Sequence, residues 1–493
     1  MARNRAEPSL LLGPVLYFRG EQRDRWWLSA LFVLDGEVEP DDLRVDGVTL
    51  PVPPRHVTVW RRRHLWRFDF AVPRGVQDTD ASYGFADGPS WSLVVPGRFS
   101  RPRIAFVCGG GLTPPPSQAS QKDSAPPASS LWPDLLRQHD QDRYHLLVQG
   151  GGQIDGEAVL AASPLMSAWR TGTAATRAAQ PFSPALAEEL MDAAIDQHLR
   201  QWRRAEVAEA LARIPSVMMW DDADIADGWG TGTDSEATSK VMRGVFMTAR
   251  RNYALFQLGA LAESPPDCVW GAPRATMTQG FHLGNVGLLA LDLRSERTRR
   301  RVLSDRSWAL LPDWLARFED SRHLIVMTGT PLLIPATAGL ERVTGWIPGL
   351  TDLTKRLGDQ WRSRSHVAEW ERLIGALGDF SRRSGCRVTV LSNGAGVGAR
   401  GVLRGEGVEL WQVLAPSLTS PPPTGLRRFA TERLAAQREQ PLPGHWLDMP
   451  RFRDSGQRTI ARRGWVTLAL DEKDQLHARW FAEADSRRYE QAI

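Results

Sequence analysis

Four carboxylates stand close together near the middle of the chain and form its densest group of cation-binding side chains. Asp221, Asp222, Asp224 and Asp227 fall within seven residues. Carboxylate oxygens are the ligands that Ca²⁺ and Mg²⁺ prefer, so this run could hold one divalent ion. The glycine placement of an EF-hand is missing, and a run that is retained only as framework explains the pattern equally well. At most one divalent ion is expected here.

Glycine-rich segments offer a second kind of chemistry, because successive backbone N–H groups can cradle an anion. They lie at 109–111, 150–152 and 394–398, and none continues into the Lys-Ser/Thr of a P-loop. Cys108 precedes the first segment, where such N–H groups could lower the pKa of a nucleophilic thiol. No histidine is close to it in sequence, so an inert buried thiol is favoured. His282 is the nearest candidate for a base or a replacement ligand, although a structural role is favoured for it too.

Apolar runs precede these loops and indicate the strands that position them. The runs occupy 104–107, 145–148, 217–220, 286–291 and 388–391, with helical stretches between them. One helix is predicted after Ser183 and Pro184, because a capping residue is followed there by a proline suited to the first helical position. Apolar strands that alternate with helices are typical of an α/β domain with a buried, mostly parallel sheet. The loops are expected to gather where the strands end.

The first hundred residues follow a different pattern from the rest. Residues 10–98 contain short strands separated by Asp-Gly and proline-rich turns, which predicts a small β-sandwich. The apolar stretch near the start is interrupted by prolines and a glutamate, so we interpret it as a strand and not as a secretion signal. The predicted division is an N-terminal β-sandwich domain at 1–100 and a second domain at 101–493. Residues 113–130, rich in Pro and Ser, are expected to be a flexible loop.

Composition restricts the class of protein. The 493 residues are 42% hydrophobic and 24% charged, which is typical of a globular chain. The net charge of +4 comes from a near balance, so nucleic acid is not the expected partner, although Trp60 and Trp66 flank the arginines at 61–63. No uninterrupted apolar window is long enough to span a membrane, and no membrane partner is expected. Three scattered cysteines without metal-ligand spacing favour a reducing, cytoplasmic location.

Four segments carry recognisable motifs in a fixed order. In chain order, residues 150–153 read Gly-Gly-Gly-Gln, residues 220–224 read Trp-Asp-Asp-Ala-Asp, residues 292–295 read Asp-Leu-Arg-Ser, and residues 392–396 read Ser-Asn-Gly-Ala-Gly. In the same order, these segments resemble the Gly-Gly-Asp-Gln, Trp-Asp-Asp-His-Asp/Glu, Asp-x-Arg-Ser and Ser-Gly-Asp-Val-His motifs of PhoD-like alkaline phosphatases and phosphodiesterases, a branch of the metallophosphatase superfamily. The resemblance implies a metallophosphatase-like four-layer α/β/β/α sandwich preceded by a small N-terminal β-sandwich domain.

The departures from these motifs fall on the residues that would bind metal. The resemblance implies a dinuclear metal centre that binds phosphate oxygens and activates a water molecule. At the family's ligand positions this chain has residues that lack strong metal donors: Gly109, Gly152, Ala223, Gly394, Gly396 and, less securely aligned, Ser420. Asp222 and Asp224 are retained, but one or two carboxylates do not hold a dinuclear centre. We therefore expect no metal cofactor of the family's kind.

These departures predict a catalytically degenerate PhoD-like protein, a pseudo-phosphatase that acts as a binding, scaffold or regulatory protein. Asp222, Asp224 and His282 are the residual candidates for catalysis. The candidates for binding a ligand are Cys108, Gly151, Gln153, Asp221 and Arg294. The expected partner is another protein, such as an active paralogue, or a phosphorylated small ligand. The alternative is an active phosphomonoesterase or phosphodiesterase with a reduced or rearranged metal site.

Overall fold

The strands of the N-terminal hundred residues form two facing sheets. A computed structural model describes residues 9–111, 130–232, 239–271, 275–336, 359–394, 396–487 and 489–493, and the loop predicted at 113–130 lies outside them apart from Ser130. The first strands are β1 (Ser9–Gln22), β2 (Arg25–Asp35), β3 (Leu43–Val45), β4 (Val48–Thr49), β5 (Arg55–Trp60), β6 (Arg63–Pro73), β7 (Thr79–Phe85) and β8 (Ser90–Val95). Phe32 of β2 contacts Phe85 of β7, and Phe70 of β6 contacts Tyr83, so the two sheets pack as a sandwich.

The rest of the chain supplies further strands and the helices. The strands are β9 (Ile104–Val107), β10 (Leu146–Gln149), β11 (Ser216–Met218), β12 (Gln279–Leu283), β13 (Val286–Ala290), β14 (His323–Thr328), β15 (Arg387–Asn393), β16 (Gly398–Gly405), β17 (Val408–Ala415), β18 (Glu439–Leu442), β19 (His445–Asp448), β20 (Thr459–Ile460), β21 (Gly464–Leu470), β22 (Leu476–Ala482) and β23 (Tyr489–Ala492). The helices are α1 (Trp132–Asp142), α2 (Gly156–Ala161), α3 (Pro164–Thr171), α4 (Ala174–Ala179), α5 (Pro184–Trp202), α6 (Ala205–Arg213), α7 (Lys240–Asn252), α8 (Asp305–Ala316), α9 (Val367–Ser384) and α10 (Gly425–Ala435). A π-helical turn, Tyr253–Gln257, continues α7.

Local sequence explains where the predicted long helix begins. The side chain of Ser183 accepts a hydrogen bond from the N–H of Leu186, and Pro184 occupies the first turn of α5. This cap satisfies one of the N–H groups that a helix start leaves without a partner. The helix therefore starts where the sequence predicts. None of the described helices combines the length and the apolar composition that crossing a membrane requires.

The strands form two large sheets and one small one. The first large sheet has ten strands in the order β23-β22-β21-β9-β10-β11-β1-β2-β6-β5. The second has the order β12-β13-β14-β15-β17-β16-β19-β18, with β20 beside β16. β9, β10 and β11 run parallel, as do β13, β14, β15 and β17. The small sheet has the order β4-β3-β7-β8.

Alternation along the buried strands places their side chains in two different cores. On β9, Ile104 and Phe106 lie in the core between the two large sheets, whereas Ala105 and Val107 lie in a second core with residues of α1, α5 and α6. On β14, Ile325 joins the core between the sheets, and its neighbours on the strand pack with residues of α8 and α9. The molecule is a four-layer α/β/β/α sandwich. Because these strands are buried on both faces, they appear in the sequence as continuous apolar runs.

The N-terminal sandwich shares hydrogen bonds with the main sheet. β1 pairs in parallel with β11, with Tyr17 opposite Ser216. The Tyr17 hydroxyl donates to the carbonyl of Phe256, 2.5 Å away. One sheet of the N-terminal sandwich is thus a continuation of the ten-stranded sheet. The division of the chain at residue 100 stays a prediction, because hydrogen bonding between strands crosses it.

A buried histidine on α5 makes the stability of the folded protein depend on pH. His198 stacks on Phe256, and its Nδ1 lies 2.9 Å from the carbonyl of Ala194. Burial lowers the pKa of His198 from 6.5 to about 4. The unfolded chain therefore takes up a proton below pH 6.5 that the folded protein resists. The stability contributed by the neutral ring is complete above pH 6.5 and is lost as the pH falls towards 4.

A His198→Phe variant tests this dependence. Phenylalanine keeps the stacking but does not titrate, so the variant is expected to lose less stability than the wild type between pH 7 and pH 5. The difference is about 2 kcal/mol, since each pH unit between the two pKa values is worth about 1.4 kcal/mol. Urea denaturation of both proteins at the two pH values measures it. Equal losses in the two proteins would contradict the assignment.

Candidate functional site

The carboxyl ends of β9, β10 and β11 bring three of the predicted loops into direct contact. The N–H of Gly109 donates to the carbonyl of Gly151 at 2.8 Å, and the N–H of Gly111 donates to the carbonyl of Gly152 at 2.6 Å. The carboxyl group of Asp221 lies against Gly151, where a Cβ on the glycine would collide with it. These loops meet at one edge of the sheet, as the sequence predicts.

The loop after β17 covers the first glycine segment. The N–H of Leu418 donates to the carbonyl of Cys108 at 2.9 Å. The hydroxyl of Thr419 lies 2.6 Å from the carbonyl oxygen of Gly109 and 2.5 Å from that of Gly111, so it can donate to either. The chain therefore reaches this edge from both large sheets. The Thr419 hydroxyl thus links the two ends of the first glycine segment.

Gly152 stands where the resemblance places an aspartate ligand, and its surroundings leave little room for a side chain. Its φ of +70° is in the left-handed region that favours glycine. A Cβ at this residue would lie 3.0 Å from the α-carbon of Gly109, which is tighter than ordinary van der Waals contact. The N–H of Gly152 donates to Asp224 at 2.8 Å. The backbone of the first loop thus occupies the direction in which an aspartate would extend.

Gly394 and Gly396 follow β15. The N–H of Gly394 donates to the carbonyl of Ala415 at 2.8 Å, and a Cβ on Gly394 would overlap the carbonyl oxygen of Val397. Gly396 has a φ of +92°, and a Cβ there would lie 3.4 Å from Pro423. Gly394 therefore has no room for the aspartate of the family motif in this backbone. At Gly396 the positive φ, and not a lack of space, disfavours the histidine.

Asp224 joins the second glycine loop to the loop after β11. Its carboxylate accepts five hydrogen bonds, each between 2.8 and 3.3 Å, from the N–H groups of Gly152, Gln153, Ile154 and Asp221 and from the side chain of Gln257. Burial raises the pKa of Asp224, and these donors oppose the rise. Both oxygens are engaged by the protein. In this arrangement Asp224 serves as a structural link between two loops.

Asp221 is buried and interacts with the charges of Asp222 and Asp224. One oxygen accepts from the N–H of Ala223 at 3.0 Å, and the other accepts from the side-chain amide of Asn393 at 3.3 Å. Burial, with the negative charges of Asp222 and Asp224, raises the pKa of Asp221 well above its usual range, although Arg294 and Asn393 oppose the rise. The surroundings of Asp221 therefore oppose the deprotonated form that a metal ligand needs.

Asp222 is paired with Arg294. Nη2 of Arg294 lies 3.1 Å from Oδ1 of Asp222, and the N–H of Gly228 donates to the other carboxylate oxygen at 2.9 Å. Arg294 also pairs through both terminal nitrogens with Asp359, at 2.8 and 2.9 Å, and donates to the hydroxyl of Thr330 at 3.1 Å. Burial alone would lower the pKa of Arg294, but Asp359 and Asp222 raise it above its usual range.

A second buried arginine extends this network. Nε of Arg297 lies 2.8 Å from Oδ1 of Asp359, and Nη2 of Arg297 donates to the Asp359 carbonyl. Burial would raise the pKa of Asp359, but the two arginines hold it below the usual range. Two guanidinium groups and two carboxylates therefore balance one another at this edge. Sequence analysis singled out Arg294 but missed Arg297 and Asp359. Arg297 could have been noticed, because it is a second arginine three residues after Arg294. Nothing in the sequence marked Asp359.

Cys108 and His282 are not placed for catalysis. Cys108 is buried in the core between the sheets, and burial together with Asp221 raises its pKa well above the usual range. Such a thiol is inert. His282 lies on β12 opposite Gly287, near the amino end of β13, and its exposed ring contacts Phe318 on the helix-covered side of the sheet. The structure therefore does not bring His282 to the cluster.

The other candidates are part of the cluster but serve its internal structure. The side-chain amide of Gln153 donates to the carbonyl of Met219 at 3.0 Å and to Gln257 at 2.9 Å. The N–H of Ser420 donates to the hydroxyl of Ser417 at 2.9 Å. The Ala223 carbonyl accepts from the N–H of Gly156 at 2.7 Å. These bonds join the predicted residues to neighbouring parts of the chain.

These residues do not fit the dinuclear metal centre that the resemblance implies. Asp224 is surrounded by N–H donors, Asp222 is paired with Arg294, and burial raises the pKa of Asp221. Metal ligands must be deprotonated and must direct a lone pair at the ion. Within the described residues, no group of three or more His, Cys, Asp and Glu side chains is arranged to hold a metal ion. This conclusion rests on which metal-binding side chains remain and on the hydrogen bonds and ion pairs that they already make.

Restoring the family's residue at one position should destabilise the protein. A Gly152→Asp variant is expected to lose about 3 kcal/mol of unfolding free energy, because a side chain at positive φ costs about 1–2 kcal/mol and overpacking adds a similar amount. The new carboxylate would also approach Asp224. Chemical denaturation of the variant and the wild type measures the loss.

Gly407→Asp is the matched control for this substitution. Gly407 lies in the turn between β16 and β17 with a φ of +76°, but a Cβ on Gly407 would meet no other atom within 4 Å. This control should show only the cost of the backbone conformation. A Gly152→Asp variant no less stable than Gly407→Asp would contradict the tight packing at Gly152.

Comparison with known proteins agrees with the motifs and the fold. Residues 117–348 match the model of the PhoD related phosphatase family. An uncharacterized protein of Saccharomyces cerevisiae is 23% identical over 432 residues, which cover 75% of this chain and 60% of the yeast protein. The chain thus spans less than two thirds of the length of this curated relative.

Two solved structures share the architecture. The structure of PhoD superposes with a TM-score of 0.58 at 12% identity and covers 100% of this chain and 90% of PhoD. Purple acid phosphatase PPD1 from yellow lupin, Lupinus luteus, superposes with a TM-score of 0.51 at 11% identity, over 97% of this chain and 73% of the lupin enzyme. At these identities the structures show a common fold and no more. Residues 117–348 thus match the PhoD related phosphatase family, and the chain shares the fold of PhoD and of purple acid phosphatase PPD1.

Proposed function

We propose that this protein is a pseudo-phosphatase, which keeps the fold of its family and acts by binding a partner instead of hydrolysing phosphate esters. The observation that carries the proposal is the engagement of the two retained carboxylates. Asp224 accepts hydrogen bonds from four backbone N–H groups, and Asp222 is paired with Arg294. Hydrolysis assisted by two metals requires several anionic or imidazole ligands that face a shared cavity. Here the corresponding side chains are missing or bonded to the protein.

The glycine loops support a protein partner over a phosphate held in the former cleft. The N–H groups of Gly109, Gly111, Gly150 and Gly394 donate to backbone carbonyls, and that of Gly152 donates to Asp224. An anion nest needs such groups free and pointing at the ligand. The expectation that these loops cradle an anion therefore loses its main donors. A scaffold or regulatory role, for example with an active paralogue, fits better with loops whose N–H groups are already bonded to the protein.

Metal analysis joined to a hydrolysis assay tests the proposal. The purified protein would be supplied with Mn²⁺, Ca²⁺ and Fe and then desalted, and its metal content and its turnover of a phosphodiester would be measured beside an Asp222→Ala variant. We expect much less than one metal ion per chain and turnover equal to that of the variant. Near-stoichiometric metal, with turnover that Asp222→Ala abolishes, would show an active phosphodiesterase with a rearranged site.

A further inference from the structure

A cavity of about 240 Å³ lies near Gly396, at some distance in sequence from the other motif residues. Its walls come from α10, from the segment between β20 and β21, and from the loop between β22 and β23. Pro422 forms part of the wall, and the next residue, Pro423, lies against Gly396. The cavity is therefore a neighbour of the degenerate motifs but is built by other residues. None of the candidates from the sequence lines it.

Three guanidinium groups line this cavity from three separate elements. Arg428 projects from the first turn of α10, Arg462 from the segment before β21, and Arg487 from the loop before β23. Gln457 adds a side-chain amide. Groups that arrive from different directions suit a ligand with oxygens on several sides. A tetrahedral phosphate has such oxygens, whereas a carboxylate has two in one plane.

The acidic residues around the cavity are already neutralised by other contacts. Arg487 donates to both oxygens of Asp485, at 2.6 and 2.9 Å from its nearest nitrogens, and Arg463 pairs with Glu483. Nη1 of Arg462 donates to the backbone carbonyl of Glu483 at 3.0 Å. Nε of Arg462 also lies 3.4 Å from Oδ2 of Asp485, so Arg462 and Arg487 share one carboxylate. With Arg428, the cavity therefore keeps a surplus of positive charge, which suits the negative charge of a phosphate monoester.

Arg428 is the arginine that is most available to a ligand. It is exposed, and among the residues that the structure describes none forms an ion pair or a side-chain hydrogen bond with its guanidinium group. A ligand would therefore displace only water from Arg428. By contrast, Arg487 and Arg462 are held in place by Asp485 and by the Glu483 carbonyl. Within the described part of the chain, the site thus combines two fixed arginines with one that can turn towards a ligand.

We propose that this cavity is a binding site for a phosphate monoester with a small organic group. Its volume is below the range of about 300–1,000 Å³ that is typical of sites for drug-sized ligands, so the organic part must be small or extend into solvent. The proposal goes beyond the pseudo-phosphatase assignment and does not depend on it. It concerns recognition by arginines outside the motif residues and includes no chemical step.

Calorimetric titration with inorganic phosphate and with glycerol 2-phosphate tests this site, in sodium chloride of constant ionic strength. The full chain is expected to bind both probes saturably. Arg428→Ala should weaken binding about tenfold, the loss typical of one charge-assisted hydrogen-bonding group. Arg427→Ala is the matched control, because Arg427 is an exposed neighbour on α10 that does not line the cavity. That variant should bind as the wild type does.

Each other outcome would overturn the assignment. No saturable binding by the wild type, or equal weakening in the Arg427 and Arg428 variants, would leave only a diffuse basic surface. Succinate binding as tight as phosphate binding would show recognition of charge without preference for phosphate. Phosphate binding that Asp222→Ala abolishes and Arg428→Ala spares would place the anion at the former catalytic edge. Because inorganic phosphate cannot be hydrolysed as an ester, the results obtained with that probe do not depend on catalytic activity.

Discussion

An Arg294→Ala variant is expected to lose about 3–5 kcal/mol of unfolding free energy, because it removes one partner of a buried ion network. Arg294 is buried and contacts Asp359 through two nitrogens and Asp222 through one. In the intact protein Arg294 and Arg297 balance the two carboxylates. Without Arg294, the buried Asp359 keeps only Arg297, and the partly exposed Asp222 loses its ion-pair partner. Chemical denaturation at pH 7, followed by tryptophan fluorescence, measures the loss.

Two further variants make this prediction specific. Arg299→Ala removes an exposed arginine from the same segment and should change stability by no more than about 0.5 kcal/mol. Arg294→Lys keeps the charge but not the planar fork that contacts Asp359 twice, so an intermediate loss is expected. An Arg294→Ala variant as stable as Arg299→Ala would contradict a structural role. It would then favour a role for Arg294 in binding a ligand.

The main features of the fold were predictable because they are local in sequence. Strands buried on both faces give continuous apolar runs, and this pattern located β9, β10, β11, β13 and β15 together with the loops that follow them. The parallel pairing of β1 with β11 was not predictable in this way. It joins segments about two hundred residues apart, and neither strand carries a mark of its neighbour. The continuity of the N-terminal sandwich with the main sheet was missed for that reason.

The candidate site shows the same division between local and distant information. The motifs placed Asp221, Asp222 and Asp224 at the end of a strand. An aspartate-rich loop is a local feature, so its spacing can be recognised from the sequence alone. The groups that decide what these carboxylates do come from elsewhere. Arg294 reaches Asp222 from 72 residues away, and Thr419 reaches Gly109 from 310 residues away. The sequence alone therefore showed that the family's ligand residues are replaced. The packing of the loops around those positions could be seen only in the structure.

An Asp224→Ala variant is expected to lose at least about 4 kcal/mol of unfolding free energy, because each buried N–H group left without an acceptor costs about 1–3 kcal/mol. Four backbone N–H groups and the Gln257 amide donate to this carboxylate. Asp224→Asn keeps one acceptor oxygen but turns an NH₂ group towards donors, so a smaller loss is expected. Asp227→Ala, in an exposed part of the same run, should change stability by no more than about 0.5 kcal/mol.

The presence or absence of metal separates this structural role from a ligand role for Asp224. All variants would be unfolded in EDTA and again in excess Mn²⁺. If Asp224 links the two loops, the loss in Asp224→Ala is complete in EDTA and Mn²⁺ does not enlarge it. If Asp224 is a metal ligand, the wild type gains stability from Mn²⁺ by mass action, and the variants differ from it chiefly when the ion is present. The five hydrogen bonds at Asp224 predict the first result, because every one of them is made by the protein alone.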